Sequence, residues 1–135
     1  MDFSKINYLA VVAAALSTFV LGGLWYSPLL FGKAWMRVNN FSEIDLAAFS
    51  KARMFGWSFI FALVMSLNLA MFLAAPNTTV TWGIAAGALA GIGWVAMAVA
   101  IIGVFENKSW GYIAINGGYM IVAFVVMGAI LGAWR

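Results

Sequence analysis

The sequence of 135 residues contains no cysteine and no histidine. Disulfides, thiol nucleophiles and imidazole metal ligands are therefore excluded, and so is the usual proton carrier near neutral pH. The remaining residues offer no nucleophile–base pair and no metal-binding cluster. We expect no metal or cofactor, and we do not expect an enzyme.

Charged residues are also scarce, since four acids and seven bases make up 8% of a chain that is 66% apolar. A soluble domain has about 25% charged residues, so this chain has too few to cover a water-facing surface. We expect an integral membrane protein with membrane lipids as partners. The net charge of +3 is too small and dispersed to predict nucleic-acid binding.

Four apolar stretches are long enough to cross a bilayer as helices. They cover approximately residues 6–24, 53–74, 79–105 and 109–134. Short polar turns, at Pro76-Asn77 and Glu106-Asn107-Lys108, separate the last three. The predicted fold class is all-α: residues 1–135 form a single domain, a transmembrane four-helix bundle.

The one long connection, residues 25–51, joins the first two spans and is predicted to be amphipathic. Pro28 interrupts its helical pattern, and Asn39-Asn40 is a turn signal. Ser42, followed three residues later by Asp45, resembles a capping box. We expect a helix to begin near Ser42 at the membrane surface and to continue into the second span.

The cations are distributed unevenly between the two predicted membrane faces. Five lie on the side of residues 25–51 and 106–108, whereas only Lys5 and Arg135 lie on the other. Because cytoplasmic loops carry an excess of lysine and arginine, the long connection is predicted to face the cytoplasm. Both termini then face outward.

Glycines recur every four residues in the last two spans. Residues four apart share a helix face, and a face without side chains lets two helices approach closely in lipid. We interpret these glycines as packing surfaces. The partner of each surface is either the other of these two spans or a second subunit, and the sequence leaves both possibilities open. Such a thin bundle with spare small-residue faces is expected to be a homo-oligomer, either a dimer or a trimer. The glycines are Gly83, Gly87 and Gly91 in the third span and Gly128 and Gly132 in the fourth.

Four polar residues within the spans are candidates for lining a path: Thr18, Asn68, Asn116 and Tyr119. A buried amide must find a partner, because lipid offers none. Asn116 falls level with Thr18 and Ser17 of the first span, so we expect a hydrogen bond there, while Asn68 falls level with the glycine faces. Two interpretations remain open: these groups line a solute path, or they only hold helices together.

The first span ends in a segment that passes from hydrocarbon to water. It reaches Trp25 and Tyr26 before its first cation, Lys33, with Trp35 and Arg37 following. Aromatic rings prefer the headgroup level, and long cations extend their charges toward water. These five residues are candidates for contact with an anionic headgroup, aided by cation–π interactions. The alternative is simple anchoring in the aromatic belt.

Two segments carry a family resemblance: LGGLWYSPLLFGKAWM at residues 21–36 and NGGYMIVAFVVMGAILGAW at residues 116–134. With INYLA at residues 6–10, they resemble a family of small four-span bacterial membrane proteins, domain of unknown function 1761. The resemblance implies four spans in the bacterial inner (cytoplasmic) membrane and no agreed substrate, cofactor or reaction. Members often carry a histidine where this chain has Met120.

The function predicted from the sequence is that of a homo-oligomeric transport or channel-like protein for a small or amphiphilic molecule of unknown identity. The alternative is a structural or lipid-binding protein without transport. A transporter needs a polar cavity between spans or subunits. A lipid-binding scaffold needs a closed core and a groove beside residues 25–37.

Overall fold

The structure is a computed structural model that describes residues 3–135. Seven α-helices follow a short 3-10 turn at Phe3–Lys5, and a π-helical turn at Gly91–Ala96 joins α5 to α6 without a break. The helices are α1 (Tyr8–Trp25), α2 (Gly32–Asn39), α3 (Glu43–Ala48), α4 (Lys51–Phe72), α5 (Val80–Ala90), α6 (Met97–Phe105) and α7 (Trp110–Ala133).

Within residues 3–135, four helical segments are long and apolar enough to cross a membrane. Three are α1, α4 and α7, and the fourth runs from α5 through α6 as Val80–Phe105. No strand occurs in the described part of the chain. The predicted all-α class with four membrane-spanning helices is confirmed.

Each spanning segment begins at a polar side chain that caps its first turn. The first N–H groups of a helix have no partner within the helix, so a side-chain oxygen must accept from them. Asn7, for example, accepts from the backbone N–H groups of Leu9 and Ala10 at 3.1 and 3.2 Å. The other three caps are Ser50, Thr79 and Ser109.

The long connection contains two short helices rather than one. Ser42 and Asp45 form the expected capping box at the start of α3. The N–H and hydroxyl of Ser42 both donate to Asp45, which holds the pKa of that carboxyl below its usual value. The expected continuation of this helix into the second span is wrong, because Phe49 is extended and Ser50 caps α4 separately.

Helix α2 was not predicted from the sequence. It is bounded by Gly32, which lies so close to the backbone of Tyr26 and Ser27 that a Cβ would not fit. At the other end Asn40 has a φ of 56°, the left-handed conformation that commonly ends a helix. The turn predicted at Asn39-Asn40 is therefore present.

Helices α5 and α7 pack with their backbones in direct contact. A Cβ on Gly83 would collide with the carbonyl oxygen of Gly128, and one on Gly87 with that of Phe124. Gly132 approaches Thr79 in the same way, with 2.7 Å from a Cβ to the carbonyl oxygen. The partner of the third-span glycine face is thus the fourth span of the same chain.

Helix α4 is joined to the rest of the bundle mainly through one half. We call the face where α1 begins and α7 ends the terminus side, and the face where α2 and α3 lie the connection side. Toward the terminus side, Leu69 and Leu73 are buried in the core, and the buried Ser66 hydroxyl donates to the carbonyl of Val11 at 2.8 Å. Toward the connection side, every residue from 51 to 61 except Phe59 is exposed.

We predict that Gly87→Ala destabilises the protein whereas Gly93→Ala does not. A Cβ at Gly87 meets backbone that cannot move aside cheaply, whereas a Cβ at Gly93 meets nothing within 4 Å. We expect Gly87→Ala to cost about 2–3 kcal/mol. Unfolding by SDS titration in mixed micelles measures the difference. Equal stability losses would contradict the backbone contact.

Candidate functional site

A cavity of about 920 Å³ lies between α1, α4 and α7. Trp35 of α2 stands at its edge on the connection side. Its walls are predominantly apolar and contain four methionines. The methionines are Met54 and Met65 on α4 and Met120 and Met127 on α7.

The cavity is closed toward the terminus side and between α1 and α4, and it is open elsewhere. Toward the terminus side it ends at the core formed by residues such as Leu69, Met127 and Leu131. Between α1 and α4 the ring of Phe19 contacts those of Phe55 and Phe59, at centroid distances of 6.2 and 6.0 Å. Helices α4 and α7 share few contacts. We infer that the cavity opens between these two helices, toward the surrounding lipid.

The depth of the cavity corresponds to about half of a bilayer. Met54 and Met65 both line it and lie eleven residues apart on α4. At 1.5 Å per residue this is about 17 Å, and half of a hydrocarbon core is about 15 Å. The cavity thus extends from the connection side to near the membrane midplane.

Polar groups lie along the wall formed by α1 and α7. The Tyr26 hydroxyl donates to Asn116 Oδ1 at 2.8 Å, and Asn116 Nδ2 donates to the carbonyl of Tyr112 at 3.1 Å. The Tyr119 hydroxyl donates to the carbonyl of Thr18 at 2.9 Å. The expected hydrogen bond between Asn116 and Thr18 is not formed, because a tyrosine from the facing helix reaches each of them instead. The Thr18 hydroxyl donates within α1, to the carbonyl of Ala15.

A row of aromatic rings connects this polar wall with the connecting helices. Successive ring centroids lie 5.3 to 5.6 Å apart, mostly in edge-to-face geometry, which aromatic rings prefer. The row holds α2 against the end of the cavity. In order from α7 it consists of Tyr119, Tyr26, Trp35, Phe41 and Phe49.

Of the four candidate path residues, the structure brings three together and leaves one outside. Thr18, Asn116 and Tyr119 line the cavity. Asn68 lies on an exposed face of α4 and donates to the carbonyl of Val64 in its own helix at 3.0 Å. The Asn68 amide is hydrogen-bonded within its own helix, so Asn68 is not part of this polar wall.

The five candidate headgroup residues are likewise divided. Tyr26 and Trp35 line the cavity, whereas Lys33 and Arg37 are exposed on α2. Both cations lie two positions from Trp35, about 200° around the helix, and so on roughly the opposite face. Trp25 points elsewhere, donating to the carbonyl of Ile115 at 3.0 Å and packing on Phe31. One pocket containing all five residues is not formed.

Several residues of the cavity wall were not singled out by the sequence. Phe61 and Ser58 on α4 and Ala123 on α7 line it. In a helix that is apolar on every side, a cavity-lining residue looks the same as a lipid-facing one. The concentration of methionines was the available signal, since methionine is frequent at adaptable binding surfaces.

A family model described as "Protein of unknown function (DUF1761)" matches residues 9–132. The chain belongs to this family. The DUF1761 match covers all but the outermost residues of the three helices that enclose the cavity. No curated protein and no solved structure matches the chain.

We predict that Asn116→Leu destabilises the protein and that Asn68→Leu does not. Removing the Asn116 amide leaves the Tyr26 hydroxyl without its acceptor. A hydrogen bond between helices in a membrane contributes about 0.6 kcal/mol and at most about 1.7, so we expect a loss within about 0.6–1.7 kcal/mol. Asn68→Leu is the matched control, because that amide bonds only within its helix. SDS unfolding measures both, and an equal or larger loss for Asn68→Leu would contradict the assignment.

Proposed function

We propose that this protein binds an amphiphilic molecule in the cavity between α1, α4 and α7 and acts as a small transport protein for such molecules. The observation that supports this is the cavity itself. It has apolar walls, a polar edge formed by Tyr26, Asn116 and Tyr119, and an opening between two helices. An amphiphile matches this arrangement because it carries one polar end and one apolar chain.

The size of the cavity supports the same proposal. Ligand sites usually have volumes of about 300–1,000 Å³ and are mostly apolar with a few placed polar groups. At about 920 Å³ this cavity is at the upper end of that range.

The packing on the terminus side favours binding and release over a permanently open pore. Beyond the cavity, Leu73 and Leu131 are buried, and Ser66 is hydrogen-bonded to Val11. A solute would meet this core before it crossed the second leaflet. Transport therefore requires α4 to move relative to α1 and α7.

The same packing favours the second candidate function, lipid binding without transport. In that case the occupied cavity would complete the fold, and the core beneath it would stay closed. The two functions differ in flux: only the first moves an amphiphile from one leaflet to the other.

We predict that Gly23→Leu weakens amphiphile binding and that Gly93→Leu does not. Gly23 lines the cavity, and a Cβ there meets nothing within 4 Å, so a leucine can extend into the space without disturbing the helix. Gly93 is equally unobstructed and is exposed outside the cavity. We expect Gly23→Leu to lower affinity about tenfold or more, since it occupies ligand volume.

The measurement is saturable binding of a fluorescent monoacyl amphiphile to protein in nanodiscs, followed by its flip between leaflets of proteoliposomes. Loss of both signals in Gly23→Leu supports transport, while loss of binding alone, with no flip in the parent protein, supports the second candidate. If the parent protein shows no saturable binding, both are wrong.

We further propose that the chain lies in the bacterial cytoplasmic membrane with α2 and α3 in the cytoplasm and both termini outside. The support is the excess of cations on the connection side, five against two. The exposure of Lys33 and Arg37 on the side of α2 away from Trp35 is consistent with contact between α2 and a headgroup layer.

A homo-oligomer is part of the same proposal. The connection-side half of α4 is exposed and carries a stacked pair of rings, Trp57 and Phe61, with centroids 5.9 Å apart. Because the glycines of α5 and α7 are occupied within the chain, this half of α4 is the surface that we propose meets another subunit. Native mass spectrometry from mild detergent gives the subunit number.

We predict that single cysteines report this orientation. The parent chain has no cysteine, so each variant carries one thiol. Asn77→Cys should react with a membrane-impermeant maleimide on intact cells, whereas Glu106→Cys should react only after permeabilisation. Both positions are exposed in turns. Labelling of both from the same side would contradict a four-span topology.

A further inference from the structure

The wall of the cavity carries hydrogen-bonding groups but no charge. Among residues 3–135, those that line it include no lysine, arginine, aspartate or glutamate. Lys33 and Arg37 are exposed on the side of α2 away from Trp35, and Arg53, next to the lining residue Met54, is exposed at the connection-side end of α4. Whatever polar group a ligand places against this wall therefore meets only neutral dipoles.

The hydrogen bonds within the protein determine what those dipoles can still offer. Tyr26 and Tyr119 have each donated their single hydroxyl hydrogen to a protein acceptor, so their oxygens remain as acceptors for a ligand. Asn116 has donated one of its two N–H hydrogens to Tyr112, so the second remains as a donor. Ser58, across the cavity on α4, provides a hydroxyl that can do either.

These groups lie well below the membrane surface. Asn116 and Tyr119 are six and nine residues into α7 from Trp110, which places them about 9 and 13 Å along the helix. An ionised group at that depth without a counter-charge costs several kcal/mol. If an anionic headgroup instead stayed at the surface, these polar groups would face an acyl chain and remain without ligand partners.

We propose that the ligand is an uncharged amphiphile whose head group both donates and accepts hydrogen bonds, the chemistry of long-chain alcohols and monoacylglycerols. The inference rests on the proposed function, because it names the class of molecule that occupies the same cavity. A hydroxyl head near Tyr119 donates to the phenol oxygen and accepts from Asn116 or Ser58. Its chain runs along the methionines toward the opening between α4 and α7.

The test compares amphiphiles that share one oleoyl chain and differ only in the head. The probes are 1-monooleoylglycerol, oleoyl lysophosphatidylglycerol and oleoyl lysophosphatidylcholine, each used to displace the fluorescent monoacyl amphiphile from protein in nanodiscs. We expect monooleoylglycerol to compete about tenfold or more better than either charged head. Equal or better competition by lysophosphatidylglycerol would overturn the inference and leave the proposed function standing.

A variant test attributes the selectivity to the wall. Ser58→Ala removes one exposed hydroxyl and should not affect folding, since Ser58 lies on the exposed part of α4. We expect this variant to weaken competition by monooleoylglycerol about threefold to tenfold. Competition by the two amphiphiles with charged heads should stay unchanged. Asn68→Leu, outside the cavity, is the control and should change neither.

Tyr119→Phe provides an independent variant, because it removes the deeper phenol oxygen while keeping the ring. It should reduce the preference for monooleoylglycerol over lysophosphatidylglycerol to less than about threefold. If neither Ser58→Ala nor Tyr119→Phe alters the preference, the assignment of these groups to the head is wrong. If no probe competes and Gly23→Leu has no effect, the failure belongs to the proposed function instead.

Discussion

The direct contact between the backbones of α5 and α7 is the constraint on which the rest of this structure depends. In lipid, apolar side chains gain little by leaving hydrocarbon for protein, so helices associate through close packing and hydrogen bonds. The glycines at positions 83, 87, 128 and 132 permit this approach. With two of the four spans joined in this way, the remaining two, α1 and α4, pack against a fixed surface.

The cavity arises because α1 and α4 are held against the α5–α7 pair in different ways. Helix α1 is joined to α7 by Trp25 and Tyr26 at one end and by Thr18 further along. Helix α4 is held in its second half, by Ser66 and its neighbours, whereas its first half meets α1 chiefly through the ring of Phe19. The bundle is therefore tight on the terminus side and separated on the connection side, which leaves a space of about 920 Å³.

Much of this architecture could be predicted from local sequence patterns. Long apolar stretches predicted the spans, the four-residue spacing predicted the glycine faces, and Ser42 with Asp45 predicted the start of α3. The cavity could not be predicted in this way. Asn68 and Asn116 are the same residue type in similar surroundings, yet one faces outward and the other lines the cavity. Which way each faces depends on the rotation of its helix.

That rotation leaves almost no trace in these helices, because they are apolar on every side and have no distinct polar face. The separate helix α2 and the π-helical turn at Gly91–Ala96 were missed for another reason. No side-chain cap marks the start of either of them.

The opening of the cavity between α4 and α7 changes what an occupant must gain in order to bind. A molecule that arrives sideways from the bilayer has already left water, so burial of its chain contributes little further free energy. It competes with neighbouring lipids for the same space at membrane concentrations, not with solvent. Under those conditions the fit of the wall and a handful of hydrogen bonds decide which molecule occupies the space. Selective occupancy then requires a preference large enough to offset the excess of those lipids.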